Sequence, residues 1–105
     1  MTNVAIALTT IDDDGDPDAL ARQLVAERLA ACVTVGAPAT SHYRWKGTIE
    51  RAVERQLLIK TTVDRLPALR RRLLELHRYE LPEFLVLAVA EGSDAYVDWI
   101  NEATF

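Results

Sequence analysis

The sequence predicts a single α+β domain, spanning residues 1–105, in which helices pack on one face of a β-sheet. The chain has the usual size of one domain, and its 50% hydrophobic and 27% charged residues are typical of a globular protein. Short apolar runs alternate with segments of helical periodicity. Their order is strand, helix, strand, strand, helix, strand and a further helix, which is the order of the split β-α-β sandwich.

The first third of the chain predicts a strand, a helix and a second strand. Val4 to Thr10 is a short apolar run with β-branched residues, as in a strand covered on both faces. Asp16 is the expected N-cap of a helix that has Pro17 at its first position and runs to about Ala31. Cys32 to Val35 begins the second strand. The apolar stripe of the helix consists of Leu20, Leu24, Val25 and Leu29.

The middle of the chain predicts a long protruding hairpin. Ser41 to Lys46 alternates in polarity, which places Tyr43 and Trp45 on one strand face. Thr48 to Glu50 is the expected return strand, and Gln56 to Thr62 is a further, strongly apolar strand. The hairpin is expected to extend the sheet of a neighbouring subunit by edge pairing. Its expected contact residues are Tyr43, Trp45 and Ile49.

The remaining elements are a helix, a strand and a terminal helix. Asp64 is expected to cap the second helix, whose leucines recur with helical spacing. His77 to Glu83 is predicted as a loop, and Phe84 to Val89 as a final buried strand. Gly92 and Ser93 begin the last helix. One side of that helix carries Tyr96, Trp99, Ile100 and Ala103.

This order of elements is that of the ferredoxin-like fold, and it leaves one face of the sheet without helices. A sheet face that is apolar must be covered by another layer. The terminal helix or a neighbouring subunit is therefore expected to cover it.

Composition argues against several classes of function. A net charge of −4 is unfavourable for nucleic-acid binding. No apolar stretch approaches the length of a membrane span, and the run at Val4 to Leu8 lacks the features of a signal peptide, so a cytoplasmic location is expected. Cys32 is the only cysteine and can form no intrachain disulfide. No catalytic triad spacing and no glycine-rich phosphate loop is present, so we predict no enzyme activity.

Four residues are candidate metal ligands. The thiol of Cys32 suits Cu(I), although a cysteine at a helix-to-strand junction also packs well in a core. His77 follows a helix end, in a loop that also carries Glu80 and Glu83. Imidazole suits Cu, Zn and Ni, and carboxylates add affinity for harder ions. The alternative for His77 is that it caps the helix C-terminus.

Lys60 interrupts an apolar strand. Because burying an unpaired ammonium is costly, it must reach water, a carboxylate of a neighbouring subunit or an anionic ligand. Tyr43 and Trp45 are expected in an interface or in the core.

Five stretches of the chain, in the right order, resemble the divalent-cation tolerance proteins of the CutA family. They are Glu27 to Val33, Tyr43 to Ile49, Leu58 to Thr61, His77 to Glu83 and Tyr96 to Trp99. The chain departs from the family pattern at Thr34, where asparagine is usual, and at Arg78, where proline is usual.

The resemblance implies a homotrimer of ferredoxin-like subunits with an architecture similar to that of PII-type signalling proteins. It also implies divalent-metal tolerance and copper binding, without an established enzymatic activity. The leading hypothesis is therefore a homotrimer that binds copper or another divalent metal ion. The alternatives are a PII-like trimer that binds a small anionic ligand between subunits, and a structural trimer that anchors a partner protein. The residues assigned to the subunit interface or the inter-subunit cleft are Tyr43, Trp45, Ile49, Lys60 and Tyr79.

Overall fold

The computed structural model describes residues 1–105, which form five strands and three helices. The strands are β1 (Val4–Asp12), β2 (Cys32–Val35), β3 (Ala39–Trp45), β4 (Thr48–Thr62) and β5 (Leu85–Ala88). The helices are α1 (Pro17–Ala26), α2 (Leu66–Leu76) and α3 (Asp94–Ala103). None of these helices has the length and apolar character needed to cross a lipid bilayer.

The five strands form one antiparallel sheet, in which four follow the order β2-β4-β1-β5 and the fifth, β3, also pairs with β4. Strand β3 pairs with the first half of β4, and β2 pairs with the second half. Together β2 and β3 therefore act as one bent strand along a single long neighbour. The predicted α+β fold class and the split β-α-β order are confirmed.

Helices α1 and α2 cover one face of the sheet. Leu24 of α1 and Leu69 and Leu73 of α2 are fully buried against Leu57 and Ile59 of β4. The apolar stripes predicted from the spacing of the leucines thus form the main core.

Helix α3 lies on the opposite face and covers only one end of the sheet. Its Ile100 forms a small second cluster with Val4 and Ala31. Most of this face remains without a helix, as the order of the elements predicts.

Helix α1 ends at Ala26 and not near Ala31, so the predicted C-terminus was wrong. The chain turns out of the helix at Arg28, which has a left-handed backbone with φ of 60°. The N–H of Arg28 donates to the carbonyl of Val25, and the N–H of Leu29 donates to that of Leu24. This is a Schellman motif, in which Arg28 occupies the left-handed position that is usually a glycine.

Strand β4 is continuous over 15 residues, whereas the sequence predicted two separate strands. Residues 48–54 pair with β3 and form a projecting hairpin, which we call the arm (residues 39–54). The predicted hairpin is confirmed. Lys46 and Gly47 both have positive φ angles, of 49° and 84°, as a two-residue type I′ turn requires.

Strand β5 lies at the edge of the sheet and is exposed along its whole length, so the prediction of a buried strand was wrong for the single subunit. Leu85 and Leu87 are 58% and 52% exposed.

The expected cap at Asp64 was also wrong, because this residue lies in a 3₁₀ turn before α2 and makes no capping hydrogen bond.

Candidate functional site

The main cleft of the subunit lies between the arm and the loop that follows α2. Its volume is about 860 Å³. Strands β1, β3 and β4 form its floor, on the sheet face that α1 and α2 leave open. The lining residues are Thr10, Asp12, Tyr43, Arg44, Trp45, Ala52, Glu54 and the loop from Arg78 to Glu83.

A buried carboxylate, that of Glu54, lies in the cleft. Glu54 is only 8% exposed. The hydroxyl of Tyr79 donates a hydrogen bond of 2.7 Å to its Oε2 atom. No Lys, Arg or His nitrogen lies within ion-pair distance of it. Burial and the adjacent Glu54 carboxylate raise the pKa of Tyr79.

Two further carboxylates of the cleft have a buried oxygen without a hydrogen-bond partner. They are Oδ1 of Asp12 and Oε2 of Glu83. Oδ1 of Asp12 nevertheless forms an ion pair with the guanidinium of Arg78, whose Nε lies 3.6 Å away. The same guanidinium also donates to the carbonyl of Asp14, at 3.0 Å. Buried acceptors without a hydrogen-bond partner, such as Oε2 of Glu83, are uncommon in folded proteins.

His77 is a structural residue behind the cleft. It is buried, and its Nε2–H donates a 2.7 Å hydrogen bond to the carbonyl of Thr10. The backbone N–H of Tyr79 donates to Nδ1 at 3.2 Å. Because a carbonyl only accepts and an amide N–H only donates, these partners determine the tautomer. Neither ring nitrogen has a free lone pair for a metal ion, so His77 in this arrangement does not fit the predicted role of ligand.

Cys32 lies far from the cleft loop, on the same open face of the sheet. It is half-buried and pairs across the strands with Lys60, at the level of Ile6 on β1. His77 contacts Thr10, four residues further along β1, which corresponds to about 13 Å at about 3.3 Å per residue. The structure therefore does not bring Cys32 and His77 together.

The ammonium of Lys60 is held within its own subunit. Its Nζ atom donates to the hydroxyl of Tyr96 at 3.2 Å and lies 5.4 Å from the centre of that ring. The hydrogen bond to Tyr96 raises the pKa of Lys60. This contact provides the polar partner that the sequence requires for Lys60, without a bound anion.

The open face of the sheet carries an apolar surface formed by four strands. One cross-strand row contains Leu85, Leu8, Leu58 and Thr34, and the next contains Leu87, Ile6, Lys60 and Cys32. We call these two rows the open-face patch. Burial of such a surface is strongly favourable, at about 25 cal/mol per Å².

The arm presents apolar side chains on both of its faces. Tyr43 and Trp45 face the cleft, whereas Ile49 pairs with Arg44 and is 72% exposed. Between residues 48 and 53 the outer edge of β4 has no strand partner, because β1 begins to pair at Glu54. An unpaired edge of this kind can accept a strand from another chain.

The structure unites some of the residues that the sequence singled out. Tyr43, Trp45, Tyr79, Glu80 and Glu83 all line the cleft. Cys32, Ile49, Lys60 and His77 do not line it. The subunit contains no group of three or more His, Cys, Asp or Glu side chains that could hold a metal ion.

Sequence reasoning missed Asp12 and Glu54, the two acids on the floor of the cleft. No local pattern marks them, because their relation lies in the register of the sheet, in which Asp12 pairs directly with Glu54 across β1 and β4. Two like charges placed opposite each other in a sheet are unfavourable, so such a pair indicates a special environment.

Comparison with known proteins gives one consistent family. Residues 5–103 match the family model described as CutA1 divalent ion tolerance protein. A divalent-cation tolerance protein CutA from Thermus thermophilus is 41% identical over 99 residues, covering 94% of this chain and 96% of that protein. The crystal structure of CutA from Xylella fastidiosa superposes with a TM-score of 0.95 at 42% identity, covering 99% and 100% of the two chains. The structure of CutA from Synechococcus elongatus gives a TM-score of 0.94 at 40% identity, covering 100% of this chain and 93% of that one.

Proposed function

The chain belongs to the CutA1 divalent ion tolerance family, and from this premise we propose that it acts as a homotrimer that binds copper or another divalent metal ion in the response to metal ions. The observation that carries the proposal is the open-face patch. A single subunit leaves this patch partly uncovered, most of all at Leu85 and Leu87. The proposed role is one of binding, in the cytoplasm, and not of catalysis.

The patch and the arm together support self-association. Leu85 and Leu87 lie in an apolar strand, yet more than half of each residue is exposed in the subunit. Large exposed apolar patches on a protein often mark an interface with another protein. The free edge of the arm supplies backbone donors and acceptors that a second subunit can pair. A head-to-tail contact of this kind closes into a ring when the rotation allows it, and a ring of three is the assembly that the family resemblance implies.

The metal ligands in this proposal come from more than one subunit. One subunit offers no cluster of three ligands, and both nitrogens of His77 are engaged. Cys32 lies on the open-face patch, where association would bring copies of it towards one another. A thiolate favours Cu(I), and the carboxylates Glu80 and Glu83 at the cleft favour harder ions.

Light scattering of the purified protein tests the assembly. We expect a trimer at micromolar concentration, and we expect Leu87→Asp to shift it towards monomers because a charge would enter the buried patch. Arg70→Asp, on the exposed outer side of α2, is the matched control. A stable monomer of the parent chain would contradict the proposal.

Calorimetric titration with Cu²⁺ and Zn²⁺ tests the metal ion. Saturable binding should weaken in Cys32→Ser or Glu80→Gln and stay unchanged in His42→Ala, which alters an exposed histidine of the arm. It should also weaken in Leu87→Asp if the ligands are shared between subunits. Absence of saturable binding of either ion by the parent protein would refute the metal part of the proposal.

A further inference from the structure

We propose that the hydrogen bond between Tyr79 and Glu54 is a latch, which fixes the direction of the arm and couples it to the 78–83 loop. The arm carries the residues that reach a neighbouring subunit, so the latch controls assembly from inside the subunit. The assembly part of this inference rests on the proposed homotrimer. The direction of the arm is a property of one subunit and does not depend on that proposal.

Few backbone contacts hold the arm to the rest of the sheet. Pairing of β1 with β4 ends at Asp12 and Glu54, and residues 48–53 pair with β3 alone. The segment between β2 and β3, residues 36–38, makes one backbone hydrogen bond, from the N–H of Gly36 to the carbonyl of Gln56. A two-stranded ribbon twists more than a larger sheet does, so the direction of the arm depends on contacts at its base.

The side chain at this base, that of Glu54, is bound by the loop and not by a neighbouring strand. Glu54 is only 8% exposed, and its Oε2 atom accepts a 2.7 Å hydrogen bond from the hydroxyl of Tyr79. Asp12, its direct cross-strand neighbour, is also an acid and offers no donor when ionised. The adjacent ion pair of Arg55 with Asp13 lies outside the arm, and both partners are partly exposed. Tyr79 is therefore the polar partner that fixes the base of the arm.

The loop gives the latch a fixed support. The Nε2–H of His77 donates to the carbonyl of Thr10 at 2.7 Å, and the backbone N–H of Tyr79 donates to Nδ1 of His77 at 3.2 Å. The guanidinium of Arg78 donates to the carbonyl of Asp14. The residues around Tyr79 are thus bound to β1 and to the turn that follows it, and the latch transmits their position to the arm.

A small rotation at the latch moves the tip of the arm by a large distance. Residues 48–54 of β4 extend over about 20 Å, at about 3.3 Å per residue. A rotation at Glu54 by the usual twist between neighbouring strands, about 20°, would displace the tip by about 7 Å. Interfaces are packed at the scale of single side chains, so a displacement of this size separates the arm from its partner.

The buried carboxylate makes the latch an element with two states. In the latched state the Tyr79 hydroxyl compensates for the desolvation of Glu54. Without that donor the buried carboxylate is unfavourable, and the strain is relieved when the arm rotates and Glu54 reaches water. The same loop carries Glu80 and Glu83, which the proposed function assigns to metal binding. A ligand that displaces the loop would therefore open the latch and weaken assembly.

The first test measures dissociation of the assembled protein by analytical ultracentrifugation over a dilution series. Tyr79→Phe and Glu54→Ala remove the latch, and each should raise the midpoint concentration of dissociation by about tenfold or more. Glu54→Gln should stay within about threefold of the parent, because its amide oxygen still accepts from the Tyr79 hydroxyl.

Thr61→Val is the matched control for a loss of stability alone. It removes another buried hydroxyl, which donates at 2.8 Å to the carbonyl of Leu29 and lies outside the arm. This variant should lower the free energy of unfolding and leave the midpoint concentration of dissociation unchanged. If the Tyr79 hydroxyl only stabilises the fold, Tyr79→Phe will behave in the same way as this control.

The second test measures the direction of the arm itself. Spin labels are attached at His42→Cys on the arm and Arg71→Cys on α2, both exposed positions, in a Cys32→Ser background. Labelled chains are mixed with an excess of unlabelled chains and EDTA, so that only distances within one metal-free subunit are measured. We expect one narrow distance in this background and in Thr61→Val. In Tyr79→Phe the distribution should broaden or shift by about 3 Å or more.

Two results would overturn the inference. One is that Tyr79→Phe and Thr61→Val have the same midpoint concentration of dissociation. The other is that the distance in Tyr79→Phe equals that of the parent background. If the parent chain is itself a monomer, the proposed trimer is refuted, and the distance measurement alone decides whether the latch exists. If Tyr79→Phe fails to fold, Glu54→Ala and Glu54→Gln provide the same comparison.

Discussion

The hydroxyl of Tyr79 donates a 2.7 Å hydrogen bond to the Glu54 carboxylate, which is thereby linked to the loop that closes the cleft. The two residues are 25 positions apart in the chain. His77 anchors the same loop from the other side through Thr10 of β1. Two of the polar contacts that hold the loop over the sheet are thus made to strands.

Tyr79→Phe should destabilise the protein by about 2 kcal/mol, because it leaves a buried carboxylate without its donor. The free energy of unfolding is measured by denaturant titration at fixed protein concentration. Tyr43→Phe is the matched control, since Tyr43 lines the same cleft without a side-chain hydrogen bond, and its effect should stay within about 0.5 kcal/mol. Equal effects of the two substitutions would contradict the role assigned to Tyr79.

The same contact predicts a loss of stability at alkaline pH. Burial and Glu54 raise the pKa of Tyr79 in the folded state above the ordinary value of about 10. The stabilisation is therefore fully present below about pH 10 and is lost as the pH rises through the folded pKa. Absorbance titration at the tyrosinate band should show a late ionisation that disappears in Tyr79→Phe. An unchanged titration curve in the variant would refute this assignment.

The residues of the cleft could be predicted from the sequence only in part. Tyr43, Trp45, Tyr79, Glu80 and Glu83 were all singled out from local motifs, and all line it. Burial of Glu54 could not be predicted, because it lies within a polar run of the arm and is covered only by a distant loop. Whether His77 was free to bind a metal also depended on a partner 67 residues away.

His77→Ala should lower the free energy of unfolding by about 2 kcal/mol, since two hydrogen bonds of about 1 kcal/mol each are lost. The carbonyl of Thr10 would also lose its side-chain donor. His42→Ala provides the control, because His42 is exposed on the arm. Chemical unfolding of both variants measures the difference, and similar stabilities would show that His77 is not an anchor.

For the fold, local patterns were sufficient where the partner of each residue lies nearby. The leucine spacing identified α1 and α2, and alternation identified the arm. The exposure of β5 followed from its edge position, which is a property of the whole sheet. An apolar strand at an edge is indistinguishable in sequence from a buried strand until a subunit or another layer is placed beside it.

Trp45→Ala should weaken assembly more than a change of any surface charge. In the proposed trimer the arm reaches a neighbouring subunit, and tryptophan is a frequent source of binding energy in interfaces. We expect the dissociation constant to rise by about tenfold or more, measured by analytical ultracentrifugation over a dilution series. Arg71→Ala, on the exposed side of α2, should leave the constant unchanged. An equal effect of the two substitutions would place the arm outside the interface.

The last prediction concerns Arg28, which ends α1 in a left-handed conformation with φ of 60°. A residue with a Cβ atom is strained there, and glycine is not, so Arg28→Gly should be more stable than Arg28→Ala by about 1 kcal/mol. Both variants lack the guanidinium contacts to the carbonyls of Glu102 and Ala103, so the loss of these contacts cancels when the two variants are compared with each other. Thermal and denaturant unfolding measure the difference. If alanine is equally stable, the turn after α1 adopts another conformation.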